Sequence, residues 1–267
     1  MRQYKKSVKR LGKDYTAYIK EFDNLSEVAN FTKDSKDVVS WFRGQAQAYD
    51  INSDMTEWCK TKSMNEAVDL LTHGWADGAK DLMKSLDNKI SKAPETRTRQ
   101  KSVYDVVGGN CSVPRYLQGV PTNMVRQIPV KVKQKVVTIN KDICFSNDVR
   151  PEDIINSSAD CLKEVYSLEQ SGVRVNLNIF FVTYQSGSKG NRILAYKIPV
   201  KKSSERMSVA KMAFCLAHPS MLRRFGLGIV AHDENSTYDF VPGCGYPVND
   251  KNTLSQIWEH DEFFLHK

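Results

Sequence analysis

The sequence carries none of the short motifs that announce a chemistry. It has no Cys-x-x-Cys pair, no His-Glu-x-x-His helix, no Gly-x-Ser-x-Gly elbow, no Walker phosphate loop and no Gly-x-Gly-x-x-Gly fingerprint. These absences remove the common zinc, hydrolase and nucleotide-binding readings and point away from catalysis. Six cysteines (Cys59, Cys111, Cys144, Cys161, Cys215 and Cys244) are scattered too widely to outline half a zinc site, so reduced, structural thiols are expected. The five histidines form no ligand set; His232-Asp233-Glu234 and Glu259-His260-Asp261-Glu262 read as exposed polar segments. No apolar run approaches the ~18 residues of a membrane span. The basic start Met1-Arg2-Gln3-Tyr4-Lys5-Lys6 has no apolar stretch behind it, so a signal peptide is not expected and a cytoplasmic location is.

Acidic residues are also in short supply. Lys and Arg number 39 against 31 Asp and Glu, a net charge of +8. That surplus favours acidic partners, nucleic acid first, and it also serves solubility. With 267 residues, 40% of them hydrophobic and 26% charged, the chain can bury a substantial core in one large domain or two ordinary ones.

Three regions follow from the patterning. Residues 1–90 read as a helical N-terminal region: Tyr15, Tyr18, Ile19 and Phe22 recur at three- and four-residue spacing, and Leu25, Val28 and Ala29 follow. Asn24 with Glu27, and Ser63 with Glu66, mark helix starts. Gly74 is expected to break the second of these helices, with Trp75 packed at the corner. Residues 91–129 read as a basic linker followed by a glycine-rich wrap through Gly108-Gly109, Gly119 and Pro121, the kind of segment that covers a core or lines a cleft.

Residues 130–267 read as an α/β core domain. Lys135–Ile139 is a short β-branched strand, and an amphipathic run after Pro151 places Ile154, Ile155, Cys161, Leu162, Val165 and Leu168 on one helical face. Val173–Phe181 alternates with period two. A strand, a helix and a strand in that order make a right-handed crossover. The turn at Gln185–Gly190 predicts a hairpin into Arg192–Val200, and Ser208–Ala217 reads as a helix. The expected fold is therefore α/β: a helical N-terminal region, then a mainly parallel sheet, von Willebrand A-like or Rossmann-like, flanked by helices.

Candidate site residues fall in three places. Lys131, Lys133 and Lys135 alternate in Lys131-Val132-Lys133-Gln134-Lys135, which ranks three ammonium groups along one face of an extended segment. Such a ribbon suits phosphates, and it equally suits an edge strand guarded against aggregation. Lys197, Lys201, Lys202 and Arg206 add charge near a later strand end. Arg223 and Arg224 are paired arginines that can clamp phosphates, or can bridge to the nearby Asp233-Glu234. Asp142-Ile143-Cys144-Phe145-Ser146 resembles the Asp-x-Ser-x-Ser metal motif of von Willebrand A-like domains. There Asp142 and Ser146 would be the ligands, but Cys144 replaces the middle serine and is a soft ligand ill suited to magnesium. No bound metal and no cofactor is expected. Trp41-Phe42-Arg43-Gly44-Gln45 resembles a signature of a small domain family associated with ADP-ribosyl chemistry, without the arginine-flanked strand expected downstream.

Several segments together resemble a family of uncharacterised tailed-bacteriophage proteins. They are Glu66-Ala67 with Gly74–Gly78, Tyr104–Gly109, Val113–Met124, Leu168–Val175, Ala213-Phe214 and His218–Arg224, spanning roughly residues 60 to 225. The resemblance implies a viral origin, an α/β core and a place in the host cytoplasm or the virion, and it carries over no catalytic residue. Taken with the charge, it leads to the expectation of a non-enzymatic phage accessory protein that binds DNA or RNA through basic surfaces. The alternative is a protein-binding or assembly module with a phage or host protein as partner.

Overall fold

The computed structural model describes residues 1–32, 59–87, 100–129, 135–145, 150–187, 190–236, 246–248, 250–259 and 262–264. The chain begins with strands: β1 (Arg2–Arg10) and β2 (Lys13–Glu21) form an antiparallel hairpin, followed by α1 (Leu25–Thr32). The described residues continue with α2 (Met64–His73), α3 (Ala76–Asp87), β3 (Gln100–Asp105), β4 (Asn110–Cys111), α4 (Val113–Leu117) and β5 (Met124–Pro129). Then come β6 (Val136–Asp142), α5 (Pro151–Gln170), β7 (Arg174–Gly187) and β8 (Gly190–Lys201). The last elements are α6 (Val209–Ala217), a π-helical turn (Met221–Gly226), α7 (Leu227–His232), β9 (Tyr246–Pro247), α8 (Lys251–Ile257) and β10 (Glu262–Phe264).

The helical N-terminal region is thus overturned for residues 2–21. Tyr15 and Ile19 are four residues apart, a spacing common to a helical face and to one face of a strand. The neighbouring Leu11 and Gly12 decide the matter. Both have positive φ (50° and 75°), and Arg10 pairs with Lys13 across them, which makes a tight two-residue hairpin loop. Tyr15, Ala17 and Ile19 then point inward as alternate residues of β2. Helix starts were easier to read. The Asn24 side chain accepts the Glu27 N–H at 2.8 Å while Glu27 accepts the Asp23 N–H at 2.7 Å. Ser63 likewise accepts the Glu66 N–H at 3.2 Å, and Gly74 ends α2 at φ 97°.

The mainly parallel sheet is overturned as well. The principal sheet is mixed, in the order β1-β2-β8-β7-β6-β10, with β9 added to β7. Parallel pairing joins β6 to β7, β6 to β10 and β2 to β8, whereas the two longest ladders, β1–β2 and β7–β8, are antiparallel. Two hairpins closed by short loops account for this, because adjacent antiparallel strands need only a turn. Neither a von Willebrand A-like nor a Rossmann-like doubly wound sheet remains.

The crossover itself forms as expected. β6 runs parallel to β7, with Val136 opposite Arg174 and Asp142 opposite Phe180, and α5 buries Cys161, Leu162 and Val165 in the same core cluster as Ile139, Val175 and Leu177. One face of the sheet packs Leu177, Phe181, Leu194 and Tyr196 against the helices, including Phe214 and Phe225. The other packs Phe180, Val182, Ile193 and Ala195 under Leu254, Ile257 and Trp258 of the α8 segment. Trp75 is half-buried and packs edge-on against His218 at 4.8 Å at the border of the core. Asp233, read from sequence as part of an exposed segment, is buried. It accepts the Tyr196 hydroxyl at 2.8 Å and pairs with Lys20 at 3.2 Å.

The glycine-rich region folds into its own antiparallel sheet, β3-β5-β4, carrying α4. Gly108 is required there, since a Cβ would sit 2.4 Å from the Val125 carbonyl oxygen.

Candidate nucleic-acid interface

Charge along the chain is sharply segregated. Residues 88–135 contain ten Lys and Arg against only Glu95 and Asp105, a surplus equal to the net charge of +8 of the entire protein. The remainder is electrically balanced. At the centre of this stretch sits the three-stranded sheet, and none of its described residues from Lys101 to Ile128 is fully buried. A sheet of this size with no closed core is marginal by itself.

Its surface chemistry is mixed. Six of the nine large hydrophobic side chains exposed among the described residues lie between Tyr104 and Leu117. Tyr104 is 53% exposed and Tyr116 64%. The Arg115 guanidinium lies over the Tyr104 ring at 4.2 Å and is pinned by donating to the Thr122 carbonyl (3.0 Å) and hydroxyl (3.2 Å). Register places Tyr104 opposite Val125 and Ser102 opposite Gln127 on one face. Val103 with Arg126, and Lys101 with Ile128, occupy the other. Arg126 approaches Asp105 at 3.6 Å, an exposed pair of little energetic weight.

The residues expected from sequence are distributed unevenly. Lys135 is exposed, just ahead of β6, while Lys131 and Lys133 lie outside the described residues. Arg223 is half-buried. Arg224 is only 2% exposed, and its guanidinium is spent inside the protein: Nε donates to the Thr61 hydroxyl and Nη2 to the Thr61 carbonyl, each at 2.7 Å. Among the later lysines, Lys201 is buried against Glu169 at 2.7 Å, whereas Lys202 and Arg206 are exposed.

Around Arg224 a polar knot closes. The Ser220 hydroxyl donates to the Cys59 carbonyl at 2.6 Å and lies 2.8 Å from the Thr61 hydroxyl; the Ser220 N–H donates to His218 Nδ1 at 3.1 Å. His218 therefore meets the Ser220 backbone and not its hydroxyl, so this is no nucleophile–base pair. Burial holds the His218 pKa down at about 4, leaving a neutral ring stacked on Phe214.

Asp142 is no better suited to a metal. Its carboxylate is buried and Oδ1 accepts the Cys144 N–H at 2.8 Å. Burial raises its pKa to about 7, the Cys144 hydrogen bond and Lys141 opposing. Lys141 on the opposite face donates to Ser157 at 2.6 Å, and burial lowers its pKa to about 8. Ser146 and the Trp41–Gln45 segment lie outside the described residues. No group of three potential ligands gathers among the described residues, and no described helix is long and apolar enough to cross a membrane. The buried thiols of Cys161 and Cys215 are pushed up to about 12 by burial, as inert core groups.

Compared with known proteins, residues 4–264 match one family model, described as a domain of unknown function, DUF7192. The chain belongs to this family. No curated protein and no solved structure matches it. The match spans nearly all of the chain, so the small sheet, its basic flanks and the mixed sheet belong to one family unit.

Tyr104, Arg115, Tyr116 and Arg126 were not singled out from the sequence as candidate site residues. The available signal was the local charge balance: apart from Glu95 and Asp105, no acidic residue occurs between Asp87 and Asp142.

Proposed function

We propose that this protein is a non-enzymatic nucleic-acid-binding protein that engages phosphates through the basic segment of residues 88–135. The observation that carries the reading is the location of the whole +8 surplus on that segment. Concentrated charge neutralises several neighbouring phosphates at once, which dispersed charge cannot do. In the sequence Lys131, Lys133 and Lys135 follow β5 within the same basic segment, and Arg115 and Arg126 lie on α4 and the small sheet. Arg224 contributes to the fold instead. The resemblance to tailed-phage proteins supports a role as a phage accessory factor in the host cytoplasm.

The test is a gel-shift titration of the full-length protein with DNA and RNA oligonucleotides at ~50 mM salt, repeated at ~200 mM. Binding should weaken steeply with salt, and replacing Lys131, Lys133 and Lys135 together by Glu should weaken it strongly while the circular dichroism spectrum is preserved. No detectable binding at the lower salt would exclude the reading.

A further inference from the structure

Resting on that reading, we infer that the β3-β5-β4 sheet with α4 is a platform for single-stranded nucleic acid, on which unpaired bases stack against Tyr104 and Tyr116. Three observations combine. The sequence segment that contains the sheet holds the protein's net positive charge, and the sheet with α4 itself carries Lys101, Arg115 and Arg126 against Asp105 alone, which suits an anionic occupant. The same segment exposes two tyrosines, at 53% and 64%, next to Leu117 at 77%. Arg115 is held on the Tyr104 ring by its bonds to Thr122, so ring and cation are presented together before any ligand arrives.

Phosphate attraction alone would require only the lysines and arginines. Exposed rings give nothing to a closed duplex, whose base faces are stacked on one another. A single strand offers those faces, and stacking on an aromatic ring stabilises by about 1–3 kcal/mol per base with little regard to sequence. Burial of Tyr116 and Leu117 by bases would also supply the apolar cover that the small sheet lacks in its own fold.

The experiment uses full-length protein, a fluorescein-labelled thymidine oligonucleotide of about 12 nucleotides, and the same oligonucleotide in a duplex, both at ~50 mM salt. The single strand should bind more tightly than the duplex. Tyr104→Ala and Tyr116→Ala should each weaken single-strand binding roughly tenfold and leave duplex binding unchanged, whereas Tyr104→Phe and Tyr116→Phe should retain it. A 2-aminopurine placed in the oligonucleotide should be quenched on binding to the wild type and less so with the Ala variants. Both positions are exposed, so the variants should remain folded, which circular dichroism checks.

Equal affinity for single strand and duplex, or wild-type behaviour of both Ala variants, would overturn this inference and leave the phosphate-binding reading standing. Absence of binding to either probe would remove both. Concentration-dependent self-association abolished by Leu117→Glu, without nucleic-acid binding, would assign the apolar surface to a second copy of the chain and also overturn the inference.

Discussion

Arg224 on the π-helical turn donates two hydrogen bonds of 2.7 Å to a single residue, Thr61, which lies 163 positions earlier in the chain. This contact fastens the segment before α2 to the helices that cover the sheet. A buried guanidinium satisfied in this way is costly to truncate, because the Thr61 carbonyl and hydroxyl lose a charged donor. Arg224→Ala should lower unfolding stability by about 3 kcal/mol in urea titration. Arg224→Lys should recover only part of it, since an ammonium does not reproduce the planar fork. A denaturation midpoint like that of the wild type in Arg224→Ala would contradict the structural role.

Leu162 on α5 is buried in the core cluster that includes Ile139 of β6 and Val175 and Leu177 of β7. Leu162→Asp would place a carboxylate in that apolar layer at a cost of several kcal/mol, enough to unfold a protein of ordinary stability. Loss of the cooperative thermal transition is expected, and a folded variant would refute the placement of the helix.

Gly74 turns the chain between α2 and α3 at φ 97°, and a Cβ there would lie 2.7 Å from that of Ala210. Gly74→Ala therefore adds both strain and a clash, and should destabilise by more than ~1 kcal/mol. Thermal melting gives the answer, and an unchanged or higher melting temperature would be inconsistent with this corner.

Two buried groups impose opposite pH dependences. His218 titrates near 6.5 when unfolded and about 4 when folded, so the unfolded chain binds the extra proton and stability is lost as pH falls through that window. Asp142 has a folded pKa of about 7 against 3.8, so its contribution is fully present below 3.8 and is lost as pH rises through 7. Each shift is worth roughly 3–4 kcal/mol at full effect. The wild type should show a shallow profile between pH 4 and 7. His218→Asn should become more stable relative to wild type on acidification. Asp142→Asn should be the more stable protein above pH 7, with the advantage disappearing by pH 4. Urea midpoints across this range test both, and parallel profiles for all three proteins would exclude the assignment.

Asp142 should hold no tightly bound metal, because its buried Oδ1 already accepts the Cys144 N–H and Cys144 is a soft neighbour for a hard ion. Elemental analysis of the purified protein checks this. Near-stoichiometric magnesium, manganese or zinc that disappears in Asp142→Asn would reverse the conclusion.

Local signals survive best where a motif and its structural consequence lie within a few residues. The Asn24–Glu27 and Ser63–Glu66 caps, the amphipathic face of Leu162 and Val165, the antiparallel β7–β8 pair and the β6–α5–β7 crossover were all legible in this way. Tyr15 and Ile19 were not, because a spacing of four satisfies a helix and a strand alike. Only the backbone at Leu11 and Gly12 separated them. Among the candidate site residues, Lys135 is exposed but so is the neighbouring Val136, so the alternation of faces is not visible there. Arg224, adjacent to Arg223, is turned inward by Thr61, a residue with no sequence neighbourhood in common with it.

By itself the sequence determined the balance of charge, the identity of the crossover unit and the starts of α1, α2 and α5. Each depends on residue type or on neighbours within a turn or two. Tertiary structure alone decided that the N-terminal hairpin joins β8 in parallel, that the sheet is mixed, and that Arg224 and Asp233 are interior groups. Those outcomes depend on which distant surfaces exclude water together, and contacts of that range leave no periodic trace in the chain.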